Sequence, residues 1–238
     1  MASHGKRYLE AREMVDRKRE YLPQEAVALL KSLPTAKFDQ TIELHMRLNV
    51  DPRHADQQVR STVMLPSGTG QQVRVMAFVE GEAVQAATEA GADYVGTDEY
   101  IERIQNGWLE FDVTVAIPQV MGKIGRLGRV LGPRGLMPNP RAGTVVQAED
   151  IANAIGELKQ GRVEFRTDRT ANLHIPIGKL SFSEDAIMAN LAAVMNAVVT
   201  ARPSSARGQY IRRAVLTSTM NPGIILDLPA ASSMRPAQ

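Results

Sequence analysis

Between Met121 and Val145 the chain reads MGKIGRLGRVLGPRGLMPNPRAGTV, with six glycines, three prolines, five basic residues and no acidic one. The cations are Lys123, Arg126, Arg129, Arg134 and Arg141. Glycine frees the backbone for close approach, proline stiffens it, and the guanidinium is an always-charged planar fork suited to phosphate. Such a surface suits a polyanion. Its spacing excludes the common nucleotide loops: there is no GxxxxGK[ST], and Gly122, Gly125 and Gly128 form GxxGxxG rather than GxGxxG. On composition alone, a structural glycine-rich loop with solvated charges is an equal reading.

Other groups able to do chemistry are sparse. The absence of cysteine removes disulfides, thiolate nucleophiles and cysteine metal sites together. His4, His45, His54 and His174 show no close metal-ligand spacing, and no GxSxG nucleophile elbow is present. His45 falls on the polar side of an alternating segment and reads as a solvated strand residue; His174 reads as a strand residue rather than a catalyst. No catalytic centre, metal site or cofactor is expected. A nucleotide-dependent enzyme and a pure protein-interaction module are the rival classes.

The net charge of +2 over 238 residues looks too weak for a nucleic-acid binder until it is divided along the chain. Residues 1–66 hold 11 Lys/Arg against 9 Asp/Glu and residues 160–238 hold 9 against 5, whereas residues 67–159 hold 8 against 12. The two ends are basic and the middle is acidic, which assigns the main polyanion surface to the outer portions. Aromatic residues make up only 5%, against a protein that stacks many bases on aromatic rings. The start, MASHGKRYLE, lacks the apolar core of a signal peptide, and no segment approaches the roughly 20 apolar residues of a membrane span. A cytoplasmic protein without a membrane partner is expected.

The elements that must position these residues follow two patterns. The first residues and Gln24–Leu33 read as helices, with Pro23 at the first turn of the second. Ile42, Leu44, Met46, Leu48 and Val50 then alternate with polar residues, the mark of a half-buried strand, and Val59–Leu65 reads as its companion. From Val73 short apolar strands (73–79, 93–95, 111–117) alternate with helices (82–90, 98–105, and one beginning at Pro118), which implies βαβ units and a mainly parallel sheet. After Gln160 the first style returns. Residues 161–166 and 172–177 read as a hairpin around Asp168–Thr170, Glu184–Ala201 as a long helix capped by Ser183, and 210–219 and 224–228 as closing strands. The tail from Pro229 reads as disordered.

The order and length of the glycine-rich stretch are informative beyond its composition. GRLGRVLGPRGLMPNPRAGTV closely resembles the signature of the L-one family of bacterial large-subunit ribosomal proteins, the proteins of the mobile side stalk. The resemblance extends to AKFDQTIELHMRLNVDPRHADQQVRSTVMLP, EAGADYVG, GRVEFRTDRT and TSTMNP, and so covers nearly the whole chain up to Leu228. It implies an α/β architecture: a discontinuous α+β domain from both chain ends (1–66 plus 160–238) carrying an inserted Rossmann-like α/β domain (67–159). The junctions are expected near Pro66–Gly68 and Lys159–Gly161, and two adjacent crossings form a natural hinge.

The resemblance also implies where RNA binds. Three segments of the outer portions are expected to meet on one surface: Lys37, Phe38, Asp39, Gln40 and Thr41; Arg166, Asp168, Arg169 and Thr170; and Ser218, Thr219, Met220 and Asn221. Lys37 can meet phosphate and Phe38 can pack on a ribose or base, although burial is the commoner fate of phenylalanine. Asp168 is either a positioned hydrogen-bonding group or a turn former. Asn221 stands where the family usually has glycine, so a left-handed turn and crowding of the RNA are both open. Lys123, Arg126, Arg129, Arg134 and Arg141 are expected to add secondary RNA contacts. The implied partners are large-subunit rRNA, the exit-site tRNA whose release the stalk assists, the protein's own operon mRNA, whose translation it represses, and other ribosomal components.

Overall fold

The computed structural model describes residues 5–235. Met1–His4 and Pro236–Gln238, which the readings of the N-terminal segment and the tail include, lie outside the described residues. The chain opens with α1 (Lys6–Met14) and α2 (Pro23–Ser32), then β1 (Thr41–Leu48) and β2 (Arg60–Met64). The middle holds β3 (Val75–Phe78), α3 (Ala83–Glu89), β4 (Tyr94–Val95), α4 (Asp98–Gln105), β5 (Val113–Ala116), two short helices α5 (Met121–Ile124) and α6 (Gly128–Leu131), and α7 (Ile151–Gln160). The chain closes with β6 (Arg162–Arg166), β7 (Asn172–Lys179), α8 (Glu184–Thr200), β8 (Ile211–Ser218), β9 (Ile224–Ile225) and α9 (Leu228–Ser233).

Two compact units result: residues 1–70 with 163–238, and residues 71–162. Each has its own core. The junctions lie a few residues beyond the positions expected from sequence.

In the first unit, β7, β1, β8 and β9 form an antiparallel sheet in that order. The alternation in β1 decides its two faces. Ile42, Leu44, Met46 and Leu48 are buried, with α2 and α8 packed on this side. Glu43, His45 and Arg47 point the other way, to an open face. Asn190 on α8 is wholly buried in the same core: its side chain accepts from Ser67 N–H (3.0 Å) and donates to Gly68 O (2.9 Å) and Ile177 O (2.7 Å). That one amide ties the chain where β2 gives way to the junction to β7, and satisfies the buried Ile177 carbonyl.

Three sequence readings are corrected here. Residues 161–166 and 172–177 do not form a hairpin: β6 pairs with β2, and β7 pairs with β1. The 167–171 connection instead moves the chain from one sheet to another, passing through Ala171, which is buried with φ 63°. For the same reason β2 is the companion of β6 and not of β1. The segment after Leu228 is also not disordered as far as it is described. It forms α9, capped by Asp227 Oδ1 accepting from Ala230 N–H (2.8 Å) and anchored by the fully buried Ala231.

The second unit is a parallel three-stranded sheet in the order β4-β3-β5, as the βαβ pattern implies. After β5, residues 118–131 form one helical run in which 3-10 turns at Pro118–Val120 and Gly125–Leu127 alternate with α5 and α6. Val120, Ile124, Leu127 and Leu131 hold its inner side in the core. The glycine-rich stretch then returns to the sheet, where Thr144 and Val146 bond Ala116 in parallel.

Asn190→Leu keeps the volume of the buried side chain and leaves Ser67 N–H, Gly68 O and Ile177 O without their partner. Unfolding free energy in urea is expected to fall by about 1–3 kcal/mol; an unchanged midpoint would show that water or rearrangement replaces the clamp.

Candidate nucleic-acid interface

The sheet register brings two of the three expected segments together. Ile42 pairs with Ser218 and Thr41 with Lys179, so the start of β1 meets the ends of β7 and β8. Thr219 N–H donates to Thr41 O (3.1 Å), and the Thr219 hydroxyl accepts from Thr41 N–H (3.1 Å). Lys179 Nζ donates to the Thr41 hydroxyl (2.8 Å). Thr219 is exposed, so its hydroxyl is a surface group that ties two strand ends, while Ser218 beside it is buried.

Gln40 organises this junction, a role not evident from the sequence. Its side chain is fully buried, and its Oε1 accepts from the Ser218 hydroxyl (3.1 Å) and from Met220 N–H (3.0 Å). Its backbone carbonyl accepts from Leu180 N–H (2.8 Å). Asp39 alongside accepts from the Ser181 N–H (3.1 Å) and hydroxyl (2.8 Å). With the backbone held at so many points, Phe38 and Met220 project outward, 53% and 46% exposed. Lys37 is exposed and has no carboxylate partner among the described residues. The cluster therefore presents a free cation and two large apolar side chains on a rigid polar base.

Asn221 is corrected on both counts. The one non-glycine residue with positive φ among the described residues is Ala171, so the 218–221 turn does not need a left-handed residue. Asn221 N–H closes that turn on Ser218 O (3.1 Å), and its side-chain amide atoms are enclosed without partners rather than projecting outward.

The third segment lies elsewhere. Asn172 pairs with Arg47 at the far end of β1, so Arg166–Thr170 sits about 20 Å from Thr41 at the usual strand rise. The three segments thus fall into two clusters, at opposite ends of one open sheet face. Asp168 acts as the turn former. Its carboxylate accepts from Thr170 N–H (2.8 Å), the Thr170 hydroxyl (2.9 Å) and Asn172 N–H (2.8 Å). Burial raises its pKa, but the hydrogen bonds from Asn172 and Thr170 outweigh that and hold it at about 2. Arg166 and Arg169 are exposed and make no ion pair with it.

In the second unit, Arg126, Arg129, Arg134 and Arg141 are exposed without acidic partners among the described residues. Lys123 differs. Its ammonium is paired with Glu80 (2.6 Å) and Asp98 (3.3 Å), and the hydrogen bond to Glu80 is the main reason its pKa is raised. These three residues follow β5, β3 and β4, at the carboxyl ends of the parallel strands, where such sheets usually hold a nucleotide. Two carboxylates around one lysine repel a phosphate there. This disfavours the nucleotide-enzyme class.

The first unit presents a polar sheet face with exposed arginines, and the carboxyl ends of the second unit's parallel strands carry the Lys123–Glu80–Asp98 ion cluster. The profile of the ribosomal protein L1p/L10e family matches residues 29–222. The chain is 56% identical over 236 residues to the large ribosomal subunit protein uL1 of Chloroflexus aggregans, covering 99% of this chain and all of that one. It is 55% identical to its counterpart in Chloroflexus aurantiacus over the same span, and 54% identical to that of Thermomicrobium roseum, covering 96% of this chain and 95% of that one. The chain belongs to the ribosomal protein L1p/L10e family, and is a structural, non-enzymatic protein. No helix among the described residues is long and apolar enough to cross a membrane.

Asp168 supplies a pH test of its turn. Its folded pKa is below the unfolded value of 3.8, so its contribution to stability is complete above about pH 4 and is lost as pH falls toward about 2. Urea unfolding measured across that window should show a smaller loss on acidification for Asp168→Asn than for the parent. Identical acid profiles would remove the turn-forming role.

Proposed function

We propose that the protein is a constituent of the large ribosomal subunit in the cytoplasm and binds large-subunit rRNA through the open sheet face of its first unit. The observation that carries this reading is the Gln40-centred cluster, where Lys37, Phe38, Thr219 and Met220 are displayed together. A solvent-exposed phenylalanine and methionine on a hydrogen-bonded base suit ribose and base faces, and Lys37 suits phosphate. Ser218 and Asn221 support the cluster from beneath. Arg166, Arg169 and Thr170 extend the surface at the far end of the sheet, around a turn shaped by Asp168. Arg126, Arg129, Arg134 and Arg141 contribute secondary contacts from the second unit, and Lys123 anchors the helical run that carries two of them.

The finer roles follow from the same chemistry. A pre-arranged patch that recognises an RNA fold accepts the protein's own operon mRNA when that RNA presents the same fold, and represses its translation once rRNA is saturated. The solvent-facing arginines of the second unit suit the phosphates of an exit-site tRNA, whose release the stalk would assist. Other ribosomal components complete the partners.

Phe38→Ala, at an exposed position, should leave stability unchanged and weaken binding of a stalk rRNA fragment by about 1–3 kcal/mol, the usual worth of one stacked base. Lys37→Ala should weaken binding and reduce the dependence of log affinity on log salt by roughly one phosphate contact. Full affinity in both variants would move the interface elsewhere. The same two variants, tested on the operon leader RNA, should lose repression in parallel; repression surviving the loss of rRNA binding would separate the two functions.

A further inference from the structure

The open face midway between the two clusters carries an arrangement that costs stability without a ligand. His45 on β1 lies directly opposite His174 on β7, and their Nδ1 atoms are 2.7 Å apart. One step along, Arg47 lies directly opposite Arg213 on β8. Both arginines are exposed, and neither has an acidic partner among the described residues. Like charges directly opposite one another on neighbouring strands are destabilising. A bulge at this point drops Arg212 from the ladder pairing, so that Arg212 and Arg213, although consecutive, both line the same cleft. The cleft has a volume of about 570 Å³, and no acidic residue lines it.

The histidine contact sets a limit on charge. At 2.7 Å one Nδ1 must donate and the other accept, so the contact survives with both rings neutral or with one ring charged. Two imidazolium rings would set N–H against N–H and break it. The surrounding groups bias the pair. Glu43 Oε2 lies 3.5 Å from His45 Nε2, and Asp168 Oδ2 lies 3.6 Å from His174 Nε2. Arg47 on β1 and Arg212 and Arg213 on β8 act in the opposite sense, and the β8 residue facing His45 is the uncharged Val215. Burial, followed by the charge of His174, holds the pKa of His45 below its ordinary value despite Glu43. In the free protein a proton on His45 is thus disfavoured, beside arginines without acidic partners among the described residues.

We propose that this cleft binds a phosphodiester group of RNA and that binding is coupled to uptake of a proton by the His45–His174 pair. The phosphate oxygens neutralise Arg47 and Arg213 and accept N–H donors from the rings. The ring nitrogen that had accepted its neighbour's proton takes one from a solvent hydronium ion: one N–H bond forms, one O–H bond of the hydronium breaks, that ring becomes an imidazolium, and both rings then donate to the phosphate. The site would lie between the two clusters of the proposed rRNA interface and rests on that reading.

The test is the affinity of the full chain for a stalk rRNA fragment between about pH 7.5 and 5.5 at constant salt. For the parent protein, affinity should rise as pH falls, approaching tenfold per pH unit, the limit for uptake of one proton. His45→Gln and His174→Gln should each flatten that slope while still binding. Arg213→Ser, which leaves both rings in place, should weaken binding and lower the salt dependence yet keep the pH slope. A pH-independent parent, or a slope unaltered in both histidine variants, overturns the proposal and leaves the rRNA interface standing. Absence of RNA binding at every pH overturns the interface itself, and this proposal with it.

Discussion

The buried side chain of Gln40 is the interaction on which the candidate interface depends. It joins the start of β1 to the end of β8, two points 178 to 180 residues apart in sequence, while its carbonyl fixes the segment after β7. A buried amide oxygen that accepts two hydrogen bonds is costly to displace, because each donor left behind would be buried unpaired. The residues around it can therefore be exposed without being mobile. Phe38 and Met220 expose apolar surface beside a backbone held by the Gln40 and Asp39 hydrogen bonds. Such preorganisation lowers the ordering cost of binding, which lets a small surface bind firmly.

The two units divide the chemistry. The first buries one face of an antiparallel sheet against α2 and α8 and leaves the other face polar, basic and open. The second spends its parallel sheet on a compact core, and the carboxyl ends of its strands on an ion cluster of Lys123, Glu80 and Asp98. Its glycine-rich run has regular right-handed helical geometry at Gly125 and Gly128, and a side chain added at Gly122, Gly125 or Gly128 would meet open space. Those glycines answer no packing demand inside the chain. Gly143 does: φ there is 63°, and a side chain would collide with the guanidinium of Arg162.

Much of the fold was legible because it follows from local pattern. The alternation at Ile42–Leu48 gave both the strand and its buried face; Ser183 capped its helix as read, accepting from Ala186 N–H (3.2 Å); and short apolar strands between helices gave the parallel sheet. What was not legible depends on pairing between distant segments. No local signal separates a β6–β7 hairpin from a chain that crosses between sheets, and the difference moves Arg166–Thr170 to the far end of the face. His45 and His174 are unremarkable apart in sequence and become a pair only through register. Lys123 looks like its neighbouring arginines until Glu80 and Asp98 are brought to it from two other strand ends. A left-handed turn at Asn221 stayed open because its backbone angle cannot be read from its identity. The helix α9 was missed because its anchor is one alanine in a composition otherwise typical of disorder.

The central claim is that the patch around Gln40 is built before RNA arrives. Amide hydrogen exchange at Met220, measured by NMR in the free protein, tests it most directly, since that N–H is held by the buried Gln40 oxygen. The account predicts slow exchange at Met220 without RNA, little further slowing when a stalk rRNA fragment binds, and fast exchange in Gln40→Leu. Fast exchange in the free protein that becomes slow only with RNA would contradict it, and would make the patch a product of binding.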